Sequence, residues 1–294
     1  MSEKPFPWRV TDVRALPGDS AFLLDNGKIT ILCDTGYAFT GARVAENIRR
    51  TLGDRPLGYI FLTHSHYDHA AGTPYIRRMY PHVTVAAGAY AAGIFAKPTA
   101  RAVMRDLDRK CAAAHGIFDY DDLLDGLSAD LCLSDGDDIP GTGFSAVALP
   151  GHTRCSFGFY DREHRFLISS ETLGVLYGDN ICIPAYLVGY RMTLDAFAKV
   201  RGLTISAMLL PHRGLIDGAR ASDFLRHSEQ AAIDTAESFL HWMKHGLSDD
   251  EILVRYTDSV YTEDVRRTYP PDAFRLNSSI MIALVRREVM GMGN

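Results

Sequence analysis

The sequence has no run of about 18 consecutive apolar residues, so no segment reads as a membrane-spanning helix. Its five cysteines (Cys33, Cys111, Cys132, Cys155 and Cys182) are scattered, odd in number and without a C-x-x-C pair. That pattern excludes a disulfide framework and a cysteine zinc finger, and fits reduced thiols in a cytoplasmic protein. Positive charge is in deficit: 31 Lys and Arg face 36 Asp and Glu, for a net charge of −5. With no basic cluster either, neither nucleic acid nor an anionic membrane is an expected partner. The first ten residues, MSEKPFPWRV, contain a lysine but not the apolar core of a secretory signal. Low-complexity segments, internal repeats, a glycine-rich phosphate loop and a G-x-S-x-G elbow are also missing. What is present is 294 residues, 47% hydrophobic and 23% charged, an ordinary globular composition long enough for one α/β-type domain with an appendage.

The first third alternates apolar strands and turns. Phe22-Leu23-Leu24 and Ile29-Thr30-Ile31-Leu32 flank an Asn26-Gly27 pair, which predicts a hairpin. Val44, Ile48 and Leu52 recur at helical spacing in 41–52, and Tyr59-Ile60-Phe61-Leu62 reads as a buried strand. A further strand is predicted at 83–85. Residues 97–127 read as a helical insertion whose acidic run, Asp119 to Asp125, is a solvated face. Strands are then expected at 131–133, 144–149, 157–160, 166–169 and 207–210, with a helix at 193–201. Beyond Gly218 only helical periodicity remains, over 219–289. The predicted organisation is one α+β domain over 1–218 and a helical extension over 219–294 packed on it; no Pro/Gly/Ser-rich linker separates them.

Directly after the strand at 59–62 comes Thr63-His64-Ser65-His66-Tyr67-Asp68-His69. His64 and His66, two apart, share one side of an extended chain, and Asp68 and His69 follow where the chain leaves the sheet. Three imidazoles and a carboxylate in six residues form a ligand set suited to zinc or a similar borderline metal. Three other apolar segments end in metal-capable side chains: His152 after Val147-Ala148-Leu149, Glu171 after Phe166-Leu167-Ile168, and His212 after Met208-Leu209-Leu210. Singly, each is more readily a loop residue bonded to the backbone; together they set ligands at the ends of four strands.

H-x-H-x-D-H, then Gly151-His152-Thr153, then a carboxylate after a strand, then a final histidine, in that order over about 20–215, resembles the metallo-β-lactamase-fold superfamily. The resemblance implies a four-layer αβ/βα sandwich carrying two divalent metal ions, zinc first, with iron or manganese as alternatives. His64, His66 and His152 would hold one ion and Asp68, His69 and His212 the other, Asp68 also acting as a catalytic proton carrier. Asp34-Thr35-Gly36 is similar to the family's D-T-G turn, where Asp34 would support the ligands; an Asp capping a turn, with a Gly in a special conformation, fits almost as well.

One position departs from the family, which has a bridging Asp in a strand ending like S-G-D. Here Ser169-Ser170-Glu171 puts a longer Glu171 in its place, with Asp179 as a fallback. Glutamate is a competent oxygen ligand for zinc. The implied chemistry is hydrolysis of a small-molecule ester, thioester or lactone by a metal-activated hydroxide, closer to the glyoxalase II-like and lactonase-like branches than to true β-lactamases. The alternatives are a metal-dependent oxidoreductase of the iron sulfur-dioxygenase or di-iron type, and a phosphodiesterase or nuclease of the same fold. Tyr177, Tyr186 and Tyr190 are candidates to line the pocket, core packing accounting for each equally well, and Arg191 and Arg213 could anchor a substrate carboxylate, although exposure on a surface loop is the commoner explanation for an arginine. A homodimer is one of the assemblies such a chain allows.

Overall fold

The computed structural model describes residues 6–291; residues 1–5 and 292–294, including half of the segment read for a secretory signal and both ends of the predicted domain spans, lie outside it. The fold is α+β with a helical C-terminal region. Two compact units divide it: residues up to 148 with 155–169, and residues 149–154 with 170 onward.

In the first unit six strands form one sheet in sequence order: β1 (Arg9–Asp12), β2 (Phe22–Asp25), β3 (Thr30–Cys33), β4 (Tyr59–Leu62), β5 (Thr84–Gly88) and β6 (Leu131–Leu133). β1 to β3 are antiparallel, whereas β3 to β6 run parallel. Each parallel connection needs a crossover, supplied by α1 (Ala38–Leu52), α3 (Thr73–Met79) after the short α2 (Tyr67–Ala70), and α4 (Ala89–Phe95) with α5 (Pro98–Ala114). Strand alternation then sorts the side chains. Leu23, Leu32, Ile60, Leu62, Val85 and Ala87 enter one core with Val44, Ile48 and Ile76 of the helices. Phe61 points the other way and stacks on Phe159 at 4.5 Å, within the antiparallel run β7 (Phe144–Ala148), β8 (Phe157–Asp161), β9 (Phe166–Ile168). β4 is therefore buried on both faces, as its unbroken apolar run requires.

α5 ends at His115, well before the 127 expected for the helical insertion, because Gly116 takes φ +71° and turns the chain. The acidic run that follows is solvated as predicted, with Asp119, Asp121, Asp122 and Asp125 all exposed, and it is also tied down by surface ion pairs. Asp121 pairs with Arg78, Asp122 with Arg105 and Arg109, and Asp125 with Arg101, so arginines of α3 and α5 hold the loop down.

α1 begins at Tyr37 without a cap from its own segment. Asp108 of α5 supplies one instead: its Oδ1 accepts the Ala38 N–H at 2.8 Å and its Oδ2 the Tyr120 hydroxyl at 2.6 Å. Asp108 is wholly buried, and burial pushes its pKa up to about 6, only partly opposed by those hydrogen bonds. A folded-state pKa above the unfolded value of 3.8 means the native state holds the extra proton, so this carboxyl weakens the fold as pH rises from about 4 to 6. Urea unfolding of wild type and Asp108→Asn across that window should show a wild-type loss of about 1–3 kcal/mol that is absent from the variant. Parallel stability curves for the two proteins would contradict it.

Among the described residues the second unit contains two hairpins and five helices. β10 (Val175–Tyr177) pairs with β11 (Ile181–Ile183), and β12 (Ala207–Leu210) with β13 (Gly214–Asp217). The helices are α6 (Tyr190–Arg201), α7 (Gly218–Lys244), α8 (Asp249–Val260), α9 (Glu263–Arg266) and α10 (Pro271–Glu288). α8 starts on a capping box, the Ser248 backbone N–H donating to Glu251 Oε2 at 2.8 Å and the Glu251 N–H to Ser248 Oγ at 3.4 Å. Tyr256 of α8 stacks on Phe274 of α10 and meets Phe239 of α7 edge-on at 5.0 Å, closing the helical core. Among the described residues no helix is long and apolar enough to cross a membrane.

Candidate metal centre

In the first unit β4 ends at Leu62 and leads into Thr63 and His64, the chain bends at Ser65 rather than continuing as the extended segment expected, and from an extended His66 α2 folds Asp68 and His69 back. The His64 ring lies 4.6 Å from that of His66 and 4.0 Å from that of His69. His64 and His69 are fully buried, whereas the Asp68 side chain is 22% exposed, with Oδ2 3.6 Å from His69 Nε2. α2 is held in place by the turn after β3: Thr35 N–H and Oγ–H both donate to the His69 carbonyl, at 2.7 and 2.9 Å. Glycine is required at 72 for that approach, because a Cβ there would stand 2.1 Å from the Thr35 carbonyl oxygen.

Asp34 organises the imidazoles. It sits in the left-handed region at φ +55°, buried, and accepts from Ser20 Oγ at 2.9 Å, Thr63 N–H at 2.8 Å, Thr63 Oγ at 3.0 Å and His69 Nδ1 at 2.7 Å. Proton counting then fixes two tautomers. A carboxylate only accepts, so His69 carries its hydrogen on Nδ1. Thr63 gives its single hydroxyl hydrogen to Asp34, so its oxygen must accept from His64 Nδ1, 3.1 Å away. Both rings therefore present Nε2 as the lone-pair nitrogen, the form that binds metal.

The second unit carries His152, Glu171 and His212. Gly151 adopts φ +149° against Thr193 and Thr172, where a Cβ would lie 2.2 Å from Thr193 Oγ1, and its carbonyl accepts from the backbone of Leu187 and Val188 at 3.1 and 3.0 Å. His152 follows, its Nδ1 donating to the Ala185 carbonyl at 2.8 Å, so its lone pair too is on Nε2. Glu171 opens a short turn after β9, pinned to α7 by Ser228 Oγ donating to the Leu173 carbonyl at 2.5 Å. His212 occupies the three-residue turn between β12 and β13 at φ +59°, a left-handed conformation that few bulky residues adopt.

Glu171 uses both oxygens. Oε2 lies 2.8 Å from His152 Nε2 and Oε1 3.2 Å from His212 Nε2. Since His152 Nε2 is a lone pair, facing a carboxylate oxygen at this distance is repulsive unless a proton or a metal cation lies between them. The donor set and its tautomers thus fit a divalent metal. Asp179 does not join this group; it is exposed in the β10–β11 turn, 3.5 Å from Arg213 and 3.9 Å from Arg220. Arg191 is engaged by Glu288 of α10. Of the tyrosines, Tyr186 is wholly buried against Tyr190, and Tyr177 stacks on Tyr269 at 5.9 Å, so all three serve the packing of this unit. The Thr63 relay and the Ala185 carbonyl have no counterpart in the sequence reading; a hydroxyl directly before His64 is the available signal for the first, and nothing local marks the second.

Residues 17–212 match the family described as the metallo-beta-lactamase superfamily. The atrochrysone carboxyl ACP thioesterase AacuM of Aspergillus aculeatus is 36% identical over 70 residues, 23% of this chain and 22% of that protein. The match thus spans about a fifth of the relative's length. Among solved structures, a metallo-beta-lactamase family protein of Thermus thermophilus aligns with TM-score 0.60 at 18% identity, covering 93% of this chain and 89% of that one. A beta-lactamase domain protein of Burkholderia ambifaria aligns with TM-score 0.61 at 16% identity, covering 95% and 84%.

Proposed function

Because the chain belongs to the metallo-beta-lactamase superfamily, we propose that it is a metal-dependent hydrolase of a small-molecule ester, thioester or lactone. In this reading His64, His66, His152 and Glu171 hold one divalent ion and Asp68, His69 and His212 a second, zinc being the first choice. The observation that carries it is Glu171, whose two oxygens are shared between His152 and His212, one histidine of each set. The thioesterase name of a relative matched over part of its length favours acyl transfer to water.

Bound divalent ions would lower the pKa of a water and polarise the scissile carbonyl. The chain's own residues do the rest. Asp34 and Ala185 fix the imidazole tautomers, so no ring has to turn or shed a proton before it serves. Asp68 is the one ligand carboxylate with substantial solvent access, which suits it to take a proton from the attacking water and pass it to the leaving group. The acidic balance favours a small-molecule substrate over nucleic acid, and the scattered cysteines without a C-x-x-C pair favour a cytoplasmic setting.

The test is metal analysis of the purified protein combined with thioester, aryl ester and lactone substrates. One to two metal ions per chain are expected, with hydrolysis of at least one class abolished by chelation and restored by zinc. A metal-loaded protein inert on all three, yet consuming oxygen with a thiol substrate, would replace hydrolase by oxidoreductase.

A further inference from the structure

Beside Asp68, within the first unit, lies an aromatic cluster that the metal centre does not use. Tyr37 stacks on Phe39 at 4.9 Å and meets Tyr67 at 5.6 Å, and Phe39 meets Tyr120 edge-on at 6.2 Å. Tyr37 and Phe39 are buried, while Tyr67, Cys111 and Ile117 pack over them half-exposed. Tyr67 stands in the chain between His66 and Asp68, so this surface begins at the ligands themselves. From Cys111 it continues up α5 one turn at a time through Leu107, 38% exposed, to Val103, 59% exposed. The stripe from Cys111 to Val103 is roughly 12 Å long at 1.5 Å per residue. Large apolar side chains this exposed and contiguous mark a binding surface.

We infer that this stripe is the subsite for the apolar acyl group of the hydrolysed ester or thioester, with Tyr67 at its inner end and Val103 at its outer end. The inference rests on the hydrolase reading for the identity of the scissile bond. The chemistry around the stripe selects against a charged occupant. The neighbouring cations already have carboxylate partners, Arg105 and Arg109 with Asp122 and Lys110 with Asp106, so an anionic substrate group would have to compete for them. Burial, with the nearby Asp68 charge, pushes the Tyr37 hydroxyl and the Cys111 thiol up, the latter to about 11, so neither adds a charge to the stripe at pH 7. Continuity with the ligand-bearing helix favours a substrate group over a second protein.

Two measurements test this. In the first, kcat/KM is compared for acetyl and octanoyl esters in wild type and in a Val103→Ser/Leu107→Ser variant, both positions being exposed enough for the fold to survive. The octanoyl-to-acetyl ratio should exceed one in wild type and fall about tenfold or more in the variant, as expected when several buried methylenes lose their contacts. An unaltered ratio overturns the subsite. In the second, calorimetry follows binding of neutral octanamide and acetamide to metal-stripped protein. Octanamide binding weakened by the double substitution supports the subsite even if no ester is turned over, so failure of the hydrolase reading remains distinguishable. Octanamide binding identical in both proteins overturns it. A variant that shifts from dimer to monomer in light scattering also overturns it, and reassigns the stripe to a subunit interface.

Discussion

Glu171→Gln is expected to lose about one metal ion per chain while changing the stability of the metal-free protein by no more than about 1 kcal/mol. The wild-type carboxylate faces the lone pair of His152 Nε2 at 2.8 Å and stands 3.2 Å from His212 Nε2, an arrangement that a cation relieves. A glutamine of the same size changes this in two ways. It removes the negative charge that offsets a dication. It also supplies an N–H that can donate to one histidine, so the metal-free site satisfies itself and the incentive to bind falls. Glu171→Asp separates charge from reach: the charge stays, but the side chain is shorter by roughly 1.5 Å and cannot meet both nitrogens. It should therefore keep more metal than the glutamine variant and less than wild type. Metal stoichiometry by mass spectrometry, with unfolding curves of the stripped proteins, decides the matter. Full wild-type loading in Glu171→Gln would sink the ligand assignment.

How far the sequence discloses this molecule depends on how long and how periodic each segment is. β4 can be read to the residue, because four apolar residues between Gly58 and a polar run admit only a covered strand. α7 and α10 are legible from their periodicity over several turns. β10, β11 and β13 are not: at three or four residues, even with the buried–exposed alternation that runs through Gly214, Leu215, Ile216 and Asp217 in β13, they fall below the length at which a period of two is visible. The end of α5 is hidden because the acidic run after it looks helical until its arginine partners, distant in sequence, are known.

The site shows the same division. His64, His66, Asp68 and His69 are adjacent in sequence, and local geometry alone brings their rings together. His152, Glu171 and His212 are spread over 60 residues, and only the order of strand-ending ligands connects them before a fold is known. The residues that orient the ligands are the least visible. Asp34 is 35 positions from His69, and its left-handed backbone is a property no side-chain pattern reports. The Ala185 group that fixes His152 is a backbone carbonyl, which any residue would supply.

Asp34→Asn is expected to damage both fold and metal binding, more severely than loss of a single hydrogen bond. The carboxylate accepts from four donor groups, those of Ser20, the Thr63 backbone, the Thr63 hydroxyl and His69. An asparagine keeps one acceptor oxygen and turns an NH2 toward the remaining donors, leaving at least one buried N–H or O–H facing another. Such unsatisfied groups cost about 1–3 kcal/mol each, so a total near 3 kcal/mol is expected. The tautomers shift with it. Facing an amide N–H, His69 is pushed to carry its hydrogen on Nε2, and Thr63, released from its acceptor, can donate to His64 Nδ1 and place that hydrogen on Nε2 as well. Both ligating nitrogens would then be blocked, and zinc affinity should fall by about 10–100-fold, the usual loss when a partner behind a metal ligand is removed. The two effects are read separately, by unfolding of the chelated protein and by competition with a zinc indicator in dilute denaturant-free buffer. Nitrogen-15 shifts of the histidines report the tautomers directly. A variant with wild-type zinc affinity and His69 still protonated on Nδ1 would show that Asp34 only caps a turn.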